Sequence, residues 1–75
     1  MTNTLVIQDP DILSGTPVFY GTRVPVKNLL DYLATGDTLD EFLEDFPSVK
    51  REIAIMFLEQ IGMWIDKHGF ENIAR

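Results

Sequence analysis

The apolar residues that follow Pro25 recur with the 3.6-residue period of a helix. The first predicted helix begins after this proline, and its apolar positions are Val26, Leu29, Leu30 and Leu33. Gly36 is typical of the position just past a helix end, because glycine takes up a left-handed backbone conformation without strain. The pattern therefore predicts a helix between Pro25 and Gly36.

A second, shorter helix is predicted between Thr38 and Pro47. Thr38 and Glu41 have the spacing of a capping box, in which each side chain accepts a hydrogen bond from the other residue's backbone amide. The apolar face of this helix consists of Leu39, Phe42, Leu43 and Phe46. Pro47 ends the helix, and we expect the hydroxyl of Ser48 to cap the third helix.

The third predicted helix is apolar around most of its circumference. Ten of the thirteen residues at positions 53–65 are apolar. At about 100° per residue, Glu52, Glu59 and Asp66 align as a narrow acidic strip, and apolar side chains occupy much of the remaining surface. Because one small core cannot bury all of them, we expect this helix to contact a second chain as well as its own core.

Two short strands are predicted before the helices. Residues 4–8 are rich in β-branched side chains, residues 18–20 form a second apolar run, and the turn signal Asp-Pro-Asp separates the two. We expect an antiparallel hairpin, with Ile12 and Leu13 of its loop folded back over the core. Gly21 follows the second strand, and we predict a backbone conformation there that a β-carbon would disturb.

One domain accounts for the chain, and its fold class is mostly α, with an N-terminal β-hairpin followed by a three-helix bundle. Within the single domain 1–75, we assign residues 4–24 to the hairpin arm, 25–69 to the bundle and 70–75 to a tail. A domain of this length buries only about 60% of its unfolded surface. A partner chain is therefore an expected source of additional stability.

The composition limits the cellular compartments in which the protein is expected. The chain has no cysteine, which excludes disulfides and thiolate metal sites and favours a reducing compartment. No secretory signal is visible, and the apolar run of the third helix is shorter than the ~20 residues that a bilayer requires. We therefore predict a cytoplasmic protein without membrane contact.

The second and third helices, with the tight turn between them, have the outline of a helix-turn-helix. In that arrangement Lys50 and Arg51 would meet the major groove of DNA, and Arg23 and Lys27 are further candidate contacts. An arginine between two turns is more often a clamp on carbonyls or carboxylates, and we favour that role for Arg23. The net charge of −6 opposes a polyanion binder, so an ordinary three-helix bundle is the alternative.

The sequence indicates no catalytic or metal site. Asp9 and Asp11 belong to a turn, and the pattern shows no cluster of further ligands around them. His68, the single histidine, falls at a helix C-terminus, where a protonated imidazole is favourable. Because no nucleophile, base and orienting group can be assembled, we interpret the chain as a non-enzyme that uses no metal or cofactor.

The third helix supplies the candidate partner-binding surface. Its apolar arc is wider than the first two helices can cover, so part of it is a candidate interface with a partner or a second copy. The candidate partner-binding or dimer residues are Ile55, Leu58, Glu59, Met63, Trp64, Ile65 and Phe70. The acidic charge balance suits a basic client, such as a nuclease with a positive RNA groove.

The stretch that runs from the hairpin loop through the second predicted strand to the first helix carries a resemblance to a known family. The pattern Gly-x-Pro-x-x-x-Gly-Thr-Arg-Val-Pro-Val places its marked residues at Gly15, Pro17, Gly21, Thr22, Arg23 and Pro25. An Asp-Pro pair precedes this pattern, and Gly36 and Pro47 end the two helices after it. On these residues the chain resembles domain of unknown function family 433 over about residues 5–65.

The resemblance implies an architecture and a function. Family members are similar to a homeodomain-like helix-turn-helix with an N-terminal β-hairpin, and are commonly regarded as VapB-type antitoxins that form dimers and partner PIN-like (Mut7-C type) ribonuclease toxins. This chain is then an antitoxin of a type II toxin-antitoxin pair, expected to neutralise a ribonuclease and to repress its own operon by binding operator DNA. The matching positions are mostly fold residues, so they transfer architecture more securely than a site.

Two other function classes stay open. One is a stand-alone DNA-binding transcriptional regulator, and the other is a small protein-interaction module without DNA binding. A neighbouring ribonuclease gene would favour the antitoxin, whereas a lone gene with a palindromic upstream site would favour the regulator.

Overall fold

A computed structural model describes residues 4–69 of the chain. Its elements are, in chain order, strands β1 (Val6–Ile7) and β2 (Val18–Phe19) and helices α1 (Val26–Ala34), α2 (Leu39–Asp45) and α3 (Arg51–His68). They confirm the predicted mostly-α fold class, with an antiparallel hairpin followed by three helices. The tail predicted at 70–75 lies outside the described residues.

The hairpin continues into a further extended segment that leads to α1. Across the two strands, Val6 pairs with Phe19 and Ile7 pairs with Val18. The amide of Phe19 donates to the carbonyl of Val24 at 3.0 Å, so the chain folds back along β2 before α1 begins. Strand β2 therefore lies between β1 and the segment that enters α1.

The turn after β2 is held by the threonine of the Gly-Thr-Arg motif. The Thr22 hydroxyl donates to the carbonyl of Phe19 at 2.9 Å and accepts from the amide of Val24 at 3.0 Å. Gly21 has a φ of 76°, which confirms the backbone conformation predicted for it. An added Cβ would meet no atom within 4 Å, so the constraint at Gly21 is its backbone conformation and not the space around it.

The loop between the two strands turns through three consecutive left-handed residues. Leu13, Ser14 and Gly15 have φ values of 48°, 57° and 87°. The Thr16 hydroxyl donates to the carbonyl of Leu13 at 2.8 Å and closes this turn locally. Leu13 is exposed, so the expectation that it folds back over the core is wrong. Its side chain belongs to a locally closed turn that faces solvent.

The core is centred on an aromatic side chain of the hairpin. Its buried members are Phe19, Leu29, Phe42, Val49, Ala54 and Phe57. The ring of Phe19 lies 6.1 Å from the ring of Phe42 and 5.3 Å from the ring of Phe57, edge to face in the second pair. Such ring pairs add about 0.5–1.5 kcal/mol to what the buried area contributes. Phe19 therefore joins the hairpin to both α2 and α3.

Helix α1 packs on the core through only part of its apolar surface. Leu29 is fully buried and Tyr32 packs beside the core, whereas Leu30 and Leu33 remain exposed. The Tyr32 hydroxyl donates to a carboxylate oxygen of Asp45 at 2.6 Å. This hydrogen bond raises the pKa of Tyr32, because it stabilises the protonated phenol, and it ties α1 to the end of α2.

Helices α2 and α3 begin differently. The Thr38 hydroxyl accepts from the amide of Glu41 at 3.1 Å, and the Glu41 carboxylate accepts from the amide of Thr38 at 2.8 Å, which confirms the capping box. The cap expected from Ser48 is wrong, because α3 begins after Lys50 and has no side-chain cap. Val49 is buried and its amide closes a turn, so the chain bends once more before α3 can start.

Candidate functional site

Helix α3 extends beyond the core that it packs against. Its contacts with the core are made by Ile53, Ala54, Phe57, Leu58 and Ile61. Among residues 4–69, no residue of α3 after Ile61 belongs to this core. Residues 62–68 therefore make up about 10 Å of helix, at 1.5 Å per residue, past the last residue that packs on this core, and Ile65 is the one half-buried side chain among them. We call this segment the projecting part of α3.

The residues predicted to bind a partner are divided between the core and the surface. Ile55, Met63 and Trp64 are 39%, 65% and 43% exposed, as an interface requires. Leu58 packs against the core, and Ile65 is half-buried. Helix α3 therefore retains three large apolar side chains at the surface.

Three carboxylates run along the solvent side of α3. Glu52, Glu59 and Asp66 are exposed and recur every seven residues, so at about 100° per residue they form one row. Ile55 flanks this row on one side and Met63 on the other. Within the described range 4–69, none of these carboxylates has a hydrogen bond or an ion pair. We call these five residues the α3 outer face.

Trp64 lies on the side of α3 opposite Ile55, since nine residues at about 100° each amount to a half turn beyond two full ones. Its ring lies 4.3 Å from the ring of His68, with an angle of 32° between the two planes. The stacking orients the indole while part of it stays exposed, which suits an anchor for a partner. Phe70, the other aromatic residue predicted for partner binding, lies outside the described residues.

Two of the four predicted DNA contacts are engaged with carboxylates of the same chain. Arg51 forms an ion pair with Asp40 at the start of α2, and Lys27 forms one with Asp31 at 2.9 Å. Both pairs are exposed, so they add little to stability. Each carboxylate nevertheless offsets the positive charge that a DNA phosphate would meet.

Arg23 and Lys50, the other two predicted contacts, are exposed and have no hydrogen bond or ion pair through their side chains within residues 4–69. The clamp role favoured for Arg23 is therefore wrong. The hydroxyl of Thr22 holds the adjacent turn instead, which leaves the guanidinium available to solvent.

Two adjoining cavities lie between the hairpin turn and the segment that enters α3. The first has a volume of about 360 Å³, and its lining includes Phe19, Val49, Lys50 and Ile53. The second has a volume of about 560 Å³, and its lining includes Ile7, Ile12, Thr22 and Arg23. Both are lined by Tyr20, Gly21 and Ser48. We call the two cavities together the hairpin cleft, and no carboxylate of residues 4–69 lines it.

Tyr20 is a candidate binding residue that the sequence pattern did not single out. It is 56% exposed and lines both cavities of the hairpin cleft. Strand alternation does not indicate it, because the preceding residues Val18 and Phe19 are both buried and Tyr20 lies past the end of β2. The tertiary structure then brings Tyr20 beside Ser48, a residue 28 positions away.

Two general features of the described residues bear on the type of site. Within 4–69, no three His, Cys, Asp or Glu side chains are grouped as a metal site would need. In the same range, no helix combines the length and the apolar content needed to cross a membrane.

Comparison with known proteins identifies a family whose function is unknown. The sequence profile of the family described as "Protein of unknown function (DUF433)" matches residues 6–58, which include the hairpin cleft and end before the projecting part of α3. The chain is also similar to the uncharacterized protein y4eO of Sinorhizobium fredii, with 46% identity over 48 residues. That match covers 64% of this chain and only 22% of the relative's length. No solved structure matches the chain.

Proposed function

The chain belongs to the DUF433 family of proteins of unknown function, and we propose from its own surfaces that it is an antitoxin that binds and neutralises a ribonuclease. The observation that carries this proposal is the α3 outer face, where exposed Ile55 and Met63 flank a row of three carboxylates that have no ion pair within residues 4–69. The apolar side chains supply contact area, and the carboxylates favour a basic surface.

A ribonuclease presents such a basic surface because its groove has to bind the phosphates of RNA. The net charge of −6 would draw this chain toward it and raise the rate of association, an effect that weakens as salt screens the charges. A PIN-like (Mut7-C type) toxin, which the family resemblance implies, is the specific candidate.

The same outer face disfavours a symmetric contact between two copies of the chain. In an antiparallel pair of α3 helices centred on Glu59, the two Glu59 side chains would face each other and Glu52 would face Asp66 of the second copy. Like charges held this close weaken an interface. The homodimer is a separate proposal that needs another surface, and exposed Leu30 and Leu33 of α1 offer one.

Trp64 lies outside the outer face, about 100° around the helix from Met63, and we propose it as the aromatic anchor of a partner that reaches around α3 past Met63. A partly exposed indole that is already oriented by stacking loses little conformational freedom on binding. Anchors of this kind cost about 2 kcal/mol or more when they are truncated to alanine, which corresponds to roughly a thirtyfold loss of affinity.

The test is the RNA-cleaving activity of the protein encoded by the neighbouring gene, which is purified and titrated with the chain. We expect RNA cleavage to stop at a stoichiometric ratio and the two proteins to elute together. Trp64→Ala should raise the concentration needed for half inhibition about thirtyfold. Thermal unfolding of this variant has to match the parent chain, so that the loss can be assigned to binding.

A charge-reversal pair separates a specific contact from a general electrostatic effect. Glu59→Lys on the outer face should weaken inhibition about tenfold, because it places a cation against a basic surface. Glu44→Lys makes the same change in net charge on α2, where Glu44 is exposed, and should change inhibition by less than about twofold. Equal effects of the two changes would contradict a binding site on the outer face.

The stand-alone DNA-binding regulator is the alternative. It is supported by the order of α2, a short turn and α3, which follows the outline of a homeodomain-like helix-turn-helix, and by unpaired Lys50 at the start of α3. If the neighbouring ribonuclease keeps its activity at an excess of this chain and no complex elutes, the antitoxin proposal fails. Salt-dependent binding of the upstream DNA that is lost in Lys50→Ala would then support the regulator.

A further inference from the structure

We propose that the hairpin cleft is a second protein-binding site, which takes a short peptide segment of another protein with apolar side chains between carboxylates. This site is separate from the proposed ribonuclease contact, because it lies between the hairpin turn and the start of α3. It would bind an acidic segment, whereas the α3 outer face would bind a basic surface. Each proposal can fail without the other.

The walls of the hairpin cleft are mostly apolar. Ile7, Ile12 and Ile53 line it and are each half-buried, so their free surface faces the cleft rather than the core alone. Exposed Tyr20 stands between the two cavities and lines both. The two volumes, about 360 and 560 Å³, give room for one large side chain in each cavity. Covering an aliphatic or aromatic side chain of a partner there removes apolar surface from water, which favours binding.

Within residues 4–69, the two charged side chains that line the cleft are both cations. Arg23 lines one cavity and Lys50 lines the other, and neither has a carboxylate partner within residues 4–69. Elsewhere Lys27 and Arg51 are each paired with a carboxylate of the same chain. In a chain with twelve acidic and six basic residues, the cleft is thus a local reversal of the overall charge. It complements a segment that carries a carboxylate on each side of its apolar anchor.

The cleft also offers hydrogen-bonding groups for a peptide backbone. The hydroxyls of Tyr20 and Ser48 have no hydrogen bond within residues 4–69, and both residues line the two cavities. A hydroxyl can donate to a peptide carbonyl or accept from a peptide amide. Polar groups of this kind fix the orientation of a ligand whose affinity comes from apolar contact.

An acidic peptide fits these features better than a nucleic acid does. A nucleic acid presents a row of phosphates and requires a row of cations, whereas the cleft has two cations separated by apolar side chains. The net charge of −6 repels a long polyanion more than a short peptide.

The probe is the fluorescein-labelled hexapeptide Asp-Asp-Leu-Phe-Asp-Asp, titrated with the full chain and followed by fluorescence anisotropy. We expect it to bind at least tenfold more tightly than two matched peptides, Asn-Asn-Leu-Phe-Asn-Asn and Asp-Asp-Ala-Ala-Asp-Asp. The first control removes the carboxylates and the second removes the apolar anchors. In an NMR titration with the unlabelled peptide, the amide signals of Tyr20, Gly21 and Ser48 should shift.

Three single variants assign the binding to the cleft. Arg23→Glu and Lys50→Glu should each lower the affinity for the acidic peptide at least tenfold. Lys67→Glu makes the same change in net charge on the projecting part of α3 and should change affinity less than twofold. All three residues are exposed, so the variants should fold, and their thermal unfolding provides the check.

The proposal is overturned by any of three results. The first is an absence of anisotropy change and of amide shifts at millimolar peptide. The second is an equal loss of affinity in Lys67→Glu and Lys50→Glu. The third is tighter binding of a six-residue oligothymidylate than of the acidic peptide, which would make the cleft a nucleic-acid contact.

Discussion

Helices α2 and α3 follow each other in the chain, but local capping residues define α2, whereas packing on the core determines which side of α3 is buried. Helix α2 begins at a capping box, ends before Pro47 and buries one side chain, Phe42, completely. Helix α3 begins without a side-chain cap and has large apolar side chains on several sides. On the same helix, Phe57 is 8% exposed and Met63 is 65% exposed.

This difference separates a helix that is fixed by the fold from one for which we propose an additional contact with a partner. Local hydrogen bonds define both ends of α2, and its Phe42 is buried in the core. Most of the stability of a helix in a protein comes from packing of its apolar face. Residues 62–68 of α3 lack such packing on the described core, so the binding of a partner there would supply it.

The strongest test of this comparison truncates one side chain on each side of α3. Phe57→Ala should reduce the free energy of unfolding by about 3–5 kcal/mol, because it leaves a cavity beside Phe19. Met63→Ala should change it by less than about 0.5 kcal/mol, because the side chain is largely exposed. Urea unfolding followed by circular dichroism measures both values. A large loss in Met63→Ala would mean that the projecting part of α3 contributes to the fold.

A smaller effect distinguishes the starts of the two helices. Thr38→Ala should reduce the free energy of unfolding by about 1 kcal/mol, because the amide of Glu41 loses its hydrogen bond to the Thr38 hydroxyl. Ser48→Ala should leave it nearly unchanged, since the Ser48 hydroxyl caps no helix. The two variants are compared by urea unfolding under identical conditions. Equal losses would indicate that Ser48 caps α3 in solution.

The smallest effect concerns the projecting part of α3. Gly62→Ala should raise the free energy of unfolding by about 0.5–1 kcal/mol, because alanine favours the helix and its Cβ would meet no atom within 4 Å. Gly21→Ala is the matched control of opposite sign, since the φ of 76° is unfavourable for alanine. Thermal unfolding reports both shifts. A destabilised Gly62→Ala variant would show that this helical position is already constrained.

The functional residues were harder to predict from the sequence than the helices and strands. The exposed members of α3, Ile55, Met63 and Trp64, were anticipated because the apolar arc of this helix is too wide for one core. Leu58 was assigned to the same surface, but it packs inward, because the sequence pattern alone does not tell which side of a nearly all-apolar helix meets the core. The hairpin cleft was not anticipated, since Tyr20 and Lys50 are distant in the chain.

The sequence by itself determined the features that depend on neighbouring residues. The capping box of Thr38 and Glu41, the left-handed turn at Gly21 and the end of α1 before Gly36 are each set by local backbone geometry and local hydrogen bonds. The order of a hairpin and three helices follows from the same kind of information, because periodicity and turn residues act over a few positions.

Only the tertiary structure decided the features that depend on distant residues. It paired Arg51 with Asp40, left Arg23 and Lys50 unpaired, and made Lys50 rather than Ser48 the residue before α3. These outcomes depend on how the buried side chains of the hairpin and the helices pack together, which fixes the distances between surface groups. Packing on Phe19 likewise selected the buried side of α3, and so decided which of its apolar side chains remain at the surface.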